Sequence, residues 1–265
     1  MYNFDYVRPS TLDDAIQALG ASGDAALLAG GQTLIPTLKL RLANPSTLVD
    51  LGNIPELNSI AVQGNELVIG AITTHAQVVE SEVVQNAIPV LAYLADTIGD
   101  SQVRNRGTIG GSLANNDPAA DYPAGALGLG AIIVTNAREI EADDFFTGYF
   151  STALEEGEIV TSIRFPIPLK AGYAKFEQRA SRYALAGVFV AQTDNGVRVA
   201  VTGSGEDGVF RSPELEAALA NSFTSEAAAA ALIPTEGLVS DMHGGADYRA
   251  ALIVAMAQEA VAAAG

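Results

Sequence analysis

The sequence predicts an α+β fold. Apolar alternation on both sides of Gly64-Asn65 in "SIAVQGNELVIGA" has the pattern of a β-hairpin. Leu12, Ile16 and Leu19 in "STLDDAIQAL" share one helical face. The last third of the chain runs through strand-like segments before helical ones, so the two kinds of element are segregated. With 265 residues, 49% of them apolar, the chain can bury a sizeable core.

The elements follow in order. Ser10 or Thr11 is the N-cap of the first helix. "AALLAGG" is a short buried strand ending in Gly30-Gly31. "QTLIPTLKLRLAN" is helical, and Pro36 is tolerated only in its first turn. "STLVDLG" is a strand. "HAQVVESEVV" and "IPVLAYLADTIG" are helical, the second closing at Gly99. "GAIIVTN" and "EEGEIVTSIRFPIP" are strands, and Pro166 and Pro168 mark a boundary near residues 165–172. "YAKFEQRAS", "GVFVAQT" and "VRVAVTG" are strands, the last two joined through Asp194-Asn195-Gly196. "PELEAALAN", "SEAAAAAL" and "YRAALIVAMAQEAVAAA" are helices.

Composition excludes several kinds of chemistry. Lys plus Arg is 14 and Asp plus Glu is 31, a net charge of −17, which disfavours nucleic acid and anionic membrane surfaces as partners. No apolar run reaches the ~18 residues of a membrane span. "MYNFDYVRPS" lacks the apolar region of a signal peptide, so the expected location is the cytoplasm. Cysteine is absent, which removes disulfides, thiolate nucleophiles and iron–sulfur ligation. His75 and His243 are the only histidines, too few for a histidine-rich metal site. Any redox chemistry must therefore come from a bound organic cofactor.

Two glycine pairs carry the chemical signal. "AGGQTL" spans Ala29 to Leu34, and "TIGGSLAN" spans Thr108 to Asn115. Each pair is read as a loop whose backbone can approach a ligand and aim successive N–H groups at it. The first precedes a predicted helix, whose dipole favours an anion. Thr33, Thr108, Ser112, Arg104 and Arg106 add donors that could hold a phosphate locally despite the acidic chain. The alternative is that each pair is only a turn. Neither fits the Rossmann or P-loop spacing. Arg104 and Arg106 suit a phosphate or a partner subunit equally. His75 reads as a structural loop residue.

"AGGQTLIPTLKLRLANPSTLVDL", "IGAITTHAQV" and "VRNRGTIGGSLANNDPAADYPA" resemble the FAD-binding medium subunit of the molybdenum hydroxylases. The similarity is nearest to the aerobic carbon monoxide dehydrogenase type, and the xanthine dehydrogenase family carries the same kind of flavin domain. It runs along nearly the whole chain and is strongest up to about residue 165. It implies a two-lobed FAD-binding domain of the vanillyl-alcohol-oxidase type over residues 1–168, with lobes of about 1–55 and 56–168. A smaller α+β C-terminal domain, with an antiparallel sheet and helices, then spans 169–265.

The resemblance also implies roles. Ala29, Gly30, Gly31, Gln32, Thr33 and Leu34 match one pyrophosphate loop, and Thr108, Gly110, Gly111 and Ser112 match the other. Asp121 matches a carboxylate on the cofactor's hydroxyls, and Val160 an apolar contact. Lys175 and Tyr183 fall where relatives place a lysine and an aromatic beside the isoalloxazine. Gln32, Ser112 and Arg182 depart from residues common in relatives, where His, Asn and an acidic residue stand. His75 lies in no attachment motif, so the FAD is expected to be non-covalent. No catalytic side chain and no metal site are expected on this chain.

The implied activity is electron transfer in a molybdenum hydroxylase complex. A small subunit would hold [2Fe-2S] clusters and a large subunit the molybdenum cofactor, assembled as a dimer of heterotrimers. This chain would pass electrons to NAD, a quinone or another acceptor. Two alternatives are a stand-alone FAD-dependent oxidoreductase and a scaffold that has lost its flavin. Intact Gly30-Gly31 and Gly110-Gly111 argue against that loss.

Overall fold

Thr11 is the residue that stops the extended N-terminal segment and caps the first helix, its Oγ1 accepting from Asp14 N at 3.2 Å. The computed structural model describes residues 1–265. The N-terminal part holds β1 (Asp5–Val7), α1 (Leu12–Gly20), β2 (Ala26–Leu28), α2 (Leu34–Lys39) and β3 (Thr47–Asp50). Its strands form a parallel sheet in the order β1-β3-β2. Leu12, Ile16 and Leu19 of α1 pack on a small core around Val49, Leu51, Ile54 and Leu57.

The middle part begins with the hairpin β4 (Ile60–Gln63) and β5 (Glu66–Gly70). Six helices follow: α3 (His75–Glu80), α4 (Glu82–Ala87), α5 (Pro89–Asp96), α6 (Ser101–Arg104), α7 (Ile109–Asn115) and α8 (Asp121–Leu129). This part closes with β6 (Ile132–Thr135), β7 (Glu139–Glu141), α9 (Ala142–Phe145), β8 (Phe146–Gly148), β9 (Ser151–Thr152) and β10 (Val160–Pro166). Its main sheet is antiparallel, in the order β4-β5-β10-β6-β7.

The C-terminal part holds β11 (Lys170–Glu177), β12 (Ala184–Thr193), β13 (Gly196–Thr202) and β14 (Phe210–Arg211) in one antiparallel sheet. The helices α10 (Pro213–Asn221), α11 (Ser225–Ala229) and α12 (Ala246–Ala263) come last. Central strand β12 shows why the sheet lies between two layers. Phe189 and Ala191 enter the large core with α5 and α8, while Ala186, Val188 and Val190 enter the core under α12. Alternation by two puts successive side chains on opposite faces, and both faces are covered. The large core therefore takes residues from both sides of Pro168. No helix is long and apolar enough to cross a membrane.

Three expectations change. The single helix expected over "HAQVVESEVV" breaks at Ser81, which turns extended and caps α4 by accepting from Val84 N. "TIGGSLAN", expected as a loop, is helical: Thr108 caps α7 and its Oγ1 accepts from Gly111 N at 3.2 Å. Helix α8 was not expected at all. All nine of its residues are buried, so it has no polar face to produce a helical period. Its glycines serve packing, because a Cβ at Gly128 would stand 2.6 Å from Phe189 Cδ1.

Candidate cofactor site

The two glycine segments meet in space. A Cβ on Gly30 would lie 2.0 Å from the carbonyl oxygen of Arg106, so the first segment rests on the backbone of the second. A Cβ on Gly110 would lie 2.6 Å from Ala71 Cβ, and Gly110 N donates to Ala71 O at 2.8 Å. Gly31 has φ +72°, a conformation that glycine adopts without strain. One glycine of each pair is thus required by contact with the protein's own chain.

Above this contact opens a cavity of about 590 Å³, a size suited to a cofactor-sized ligand. Ala29, Gly30, Gly31, Gln32, Thr33, Leu34, Thr108, Gly110, Gly111, Ser112, Asp121, Val160 and Tyr183 all line it. These are all the residues that the resemblance matches to cofactor contacts except Lys175. Leu27, Leu51, Ile98, Leu154 and Ile159 give it apolar walls. Asn115, Asp117, Glu158 and Arg182 also line it, beyond the contacts that the resemblance implies. Asn115 had a legible signal: it falls three residues after Ser112, on the same face of α7.

The two segments differ in what they offer. The backbone N–H groups of Gly30, Gly31, Gln32, Thr33 and Leu34 donate to no protein acceptor. In the second segment the amides are engaged. Ile109 N donates to Thr73 O at 3.1 Å, Gly110 N to Ala71 O, Gly111 N to Thr108 Oγ1 and Ser112 N to Thr108 O at 3.0 Å. The expectation of two equivalent amide cradles is therefore corrected. The first segment presents amides, and the second presents the hydroxyls of Thr108 and Ser112.

Asp121 begins α8 and is 5% exposed. It accepts from Tyr173 Oη and from Lys175 Nζ, the latter at 3.1 Å. Burial raises its carboxyl above the ordinary carboxylate range, and the Lys175 charge opposes that rise. Lys175 itself stands behind the cavity wall. Its ammonium is fully engaged by Thr97 O at 2.9 Å, Arg182 O at 2.8 Å and Asp121. This departs from the position facing a flavin ring, and also from a solvated strand lysine. Tyr183 stands half-exposed at the cavity edge, and burial, then Asp117 and Asp121, raise its phenol above the ordinary value.

Neither Arg104 nor Arg106 lines the cavity. Arg104 pairs with Asp96 at 3.2 Å and donates to Ile98 O. The Arg106 side chain is exposed, while its carbonyl meets Gly30. Arg182 is the single cation of the lining, against Asp117, Asp121 and Glu158. Any anionic ligand must therefore be held mainly by neutral donors.

His75, expected in a loop, is the first residue of α3 and lines the cavity. It is 5% exposed, its ring centroid lies 5.2 Å from that of Tyr122, and its Nδ1 has no partner. Burial, with a lesser contribution from Arg104, lowers its pKa to about 4. The folded state keeps the ring neutral while the unfolded chain protonates it near pH 6.5. Stability is thus full above the unfolded value and falls as pH drops from about 6.5 to about 4, by up to about 3 kcal/mol. His75→Gln is expected to flatten that part of the pH–stability curve in denaturant melts. Glu158, lowered to about 2 by Arg138, loses its contribution only at lower pH. An unchanged slope between pH 6.5 and 4 in the variant would refute the assignment to His75.

The family model described as "FAD binding domain in molybdopterin dehydrogenase" matches residues 2–168. The chain is 38% identical to the carbon monoxide dehydrogenase medium chain of Hydrogenophaga pseudoflava, over 98% of this chain and 96% of that one. It is 36% identical to the nicotine 6-hydroxylase medium subunit of Paenarthrobacter nicotinovorans, with the same shares covered. Its fold superposes on a chain of quinoline 2-oxidoreductase from Pseudomonas putida 86 with a TM-score of 0.90 and 33% identity, covering 98% of this chain and 96% of that one.

Proposed function

This chain belongs to the family of FAD-binding medium subunits of the molybdenum hydroxylases, flavoprotein components of oxidoreductases, and from that premise we propose how its cavity and its partners divide the work. The segment Ala29–Leu34, with the hydroxyls of Thr108 and Ser112, would hold the pyrophosphate of FAD. The observation that carries this is the run of five amides, Gly30 to Leu34, with no acceptor in the protein. Oriented backbone donors can hold an anion with little help from charge, as the net −17 requires.

The residues fit the group on two further counts. Apolar walls at Leu27, Leu51, Ile98, Ile159 and Val160 suit the planar rings. Asp117, Asn115 and Asp121 line the cavity and would serve as acceptors for hydroxyls of the ribityl and ribose parts. His75 lies in no attachment motif, so the FAD is read as non-covalently held. Bound FAD supplies the electron-transfer chemistry, and this chain supplies binding, orientation and exclusion of water.

The chain acts within a complex of the carbon monoxide dehydrogenase type. Substrate is oxidised on a molybdopterin large subunit, and a small subunit bearing [2Fe-2S] clusters connects it to this chain. Absence of cysteine supports that division, since this chain has no thiolate to ligate a cluster. An external acceptor, NAD or a quinone, then takes the electrons. The complex is assembled as a dimer of heterotrimers.

Purified chain mixed with FAD is expected to retain flavin absorbance through gel filtration and to release it on denaturation. A chain that stays colourless with added FAD would sink the proposal. Co-purification of an iron–sulfur chain and a molybdenum chain supports the subunit role, whereas turnover of a substrate by the chain alone refutes it.

A further inference from the structure

Between β11 and β12 the chain makes a tight turn that carries Tyr183 to the cavity. Gln178 N donates to Tyr183 O at 2.8 Å and Arg182 N donates to Gln178 O at 2.7 Å. Arg182 is left-handed, with φ +63°, a conformation that a non-glycine residue keeps only when its surroundings impose it. Its carbonyl oxygen accepts from Lys175 Nζ, and its Nη1 donates to Gly99 O at 3.2 Å.

Lys175 is suited to impose it. The side chain is only 4% exposed, and its three donors meet two carbonyl oxygens and one carboxylate. A lysine ammonium offers three donors and no acceptor, so each has a partner here. The three partners come from different places: Thr97 at the end of α5, Asp121 at the start of α8, and Arg182 in the turn. The first two belong to helix ends beside the cavity, and the third belongs to the turn bearing Tyr183.

We propose that Lys175 is a positioning residue, a clasp that fastens the Gln178–Tyr183 turn to these helix ends and so sets the Tyr183 ring at the cavity. The proposal rests on the reading of that cavity as the FAD site. It acts through the Arg182 main-chain carbonyl, not through the guanidinium.

The test is a double-mutant cycle on the chain reconstituted with FAD, using wild type, Lys175→Met, Tyr183→Ala and the double variant. Lys175→Met is expected to weaken FAD by about tenfold when Tyr183 is present and by less than about twofold when it is absent, because residues acting through one another are not additive. The flavin midpoint potential is expected to shift in the first background only. Equal losses in both backgrounds overturn the proposal, since Lys175 would then touch the cofactor or support only the fold. Arg182→Asn keeps the left-handed conformation and the carbonyl, and is expected to retain the coupling; loss of coupling there also overturns it.

If Lys175→Met fails to fold because Asp121 is stranded, the combined change Lys175→Met/Asp121→Asn, which leaves neither charge of the pair buried alone, takes the place of Lys175→Met in the cycle. A measurement without ligand separates this proposal from the reading of the cavity. Amide exchange at Gln178 and Arg182 is expected to accelerate at least about tenfold in Lys175→Met, as local opening becomes easier. Unchanged exchange overturns the clasp, whereas failure of wild type to take up FAD overturns the cavity reading alone.

Discussion

Gly30→Ala is expected to destabilise the fold by about 3 kcal/mol, at the upper end of the range for overpacking, and to abolish FAD binding. The added Cβ would fall 2.0 Å from the carbonyl oxygen of Arg106 and 2.8 Å from the Gly107 Cα. Both obstacles are backbone, so no side-chain rotation relieves them. Gly107 cannot retreat either, because the position of its own missing Cβ is 2.5 Å from His75 Nε2. Only separation of the two glycine segments makes room, and that removes the floor of the cavity. Thermal melts and FAD titration check the two parts together. A variant with wild-type stability would show that the segments do not touch.

Gly111→Val should do the opposite: hold the fold and lose the cofactor. Gly111 is exposed on the first turn of α7, and its absent Cβ points toward Thr108 Oγ1 at 2.8 Å and Ala29 Cβ at 3.8 Å. A hydroxyl can rotate away, and valine is no worse than glycine inside a helix, so the stability cost stays near about 1 kcal/mol. The valine branches nonetheless occupy the gap between the second segment and Ala29, where the pyrophosphate is proposed to lie. FAD affinity is expected to fall by more than about a hundredfold. Titration of folded variant with FAD measures it, and unchanged flavin content counts against the assignment of this gap.

The contrast between the two glycines explains what was legible. Their presence in pairs, before a hydroxyl or amide residue, is visible in the sequence, and so is the resemblance that ties them to a flavin site. Their separate duties are not visible. Gly30 and Gly110 are needed because another stretch of backbone passes within contact distance, and no local pattern records that approach. The unequal use of amides has the same origin, since Thr73 and Ala71 capture the donors of the second segment.

Secondary structure divides along a similar line. Helix α1, the β4–β5 hairpin and the β12–β13 hairpin bury one face or turn on recognisable residues, and their periods show it. Helix α8 is buried on every side and has no such period. Lys175 follows the same rule in reverse: as a lysine at the end of a strand it looks solvated, yet its ammonium is enclosed.

The sequence by itself determined the α+β class, the order of most elements, the two glycine segments, the absence of thiolate chemistry and the family. These depend on residue type and on spacing along the chain. Tertiary structure alone decided that the glycine segments rest on each other, that one offers amides and the other hydroxyls, and that Lys175 turns inward to hold the turn of Tyr183. The physical reason is that each of these is a contact between residues far apart in the chain. Such contacts come from burial and from the need of every enclosed polar group for a partner.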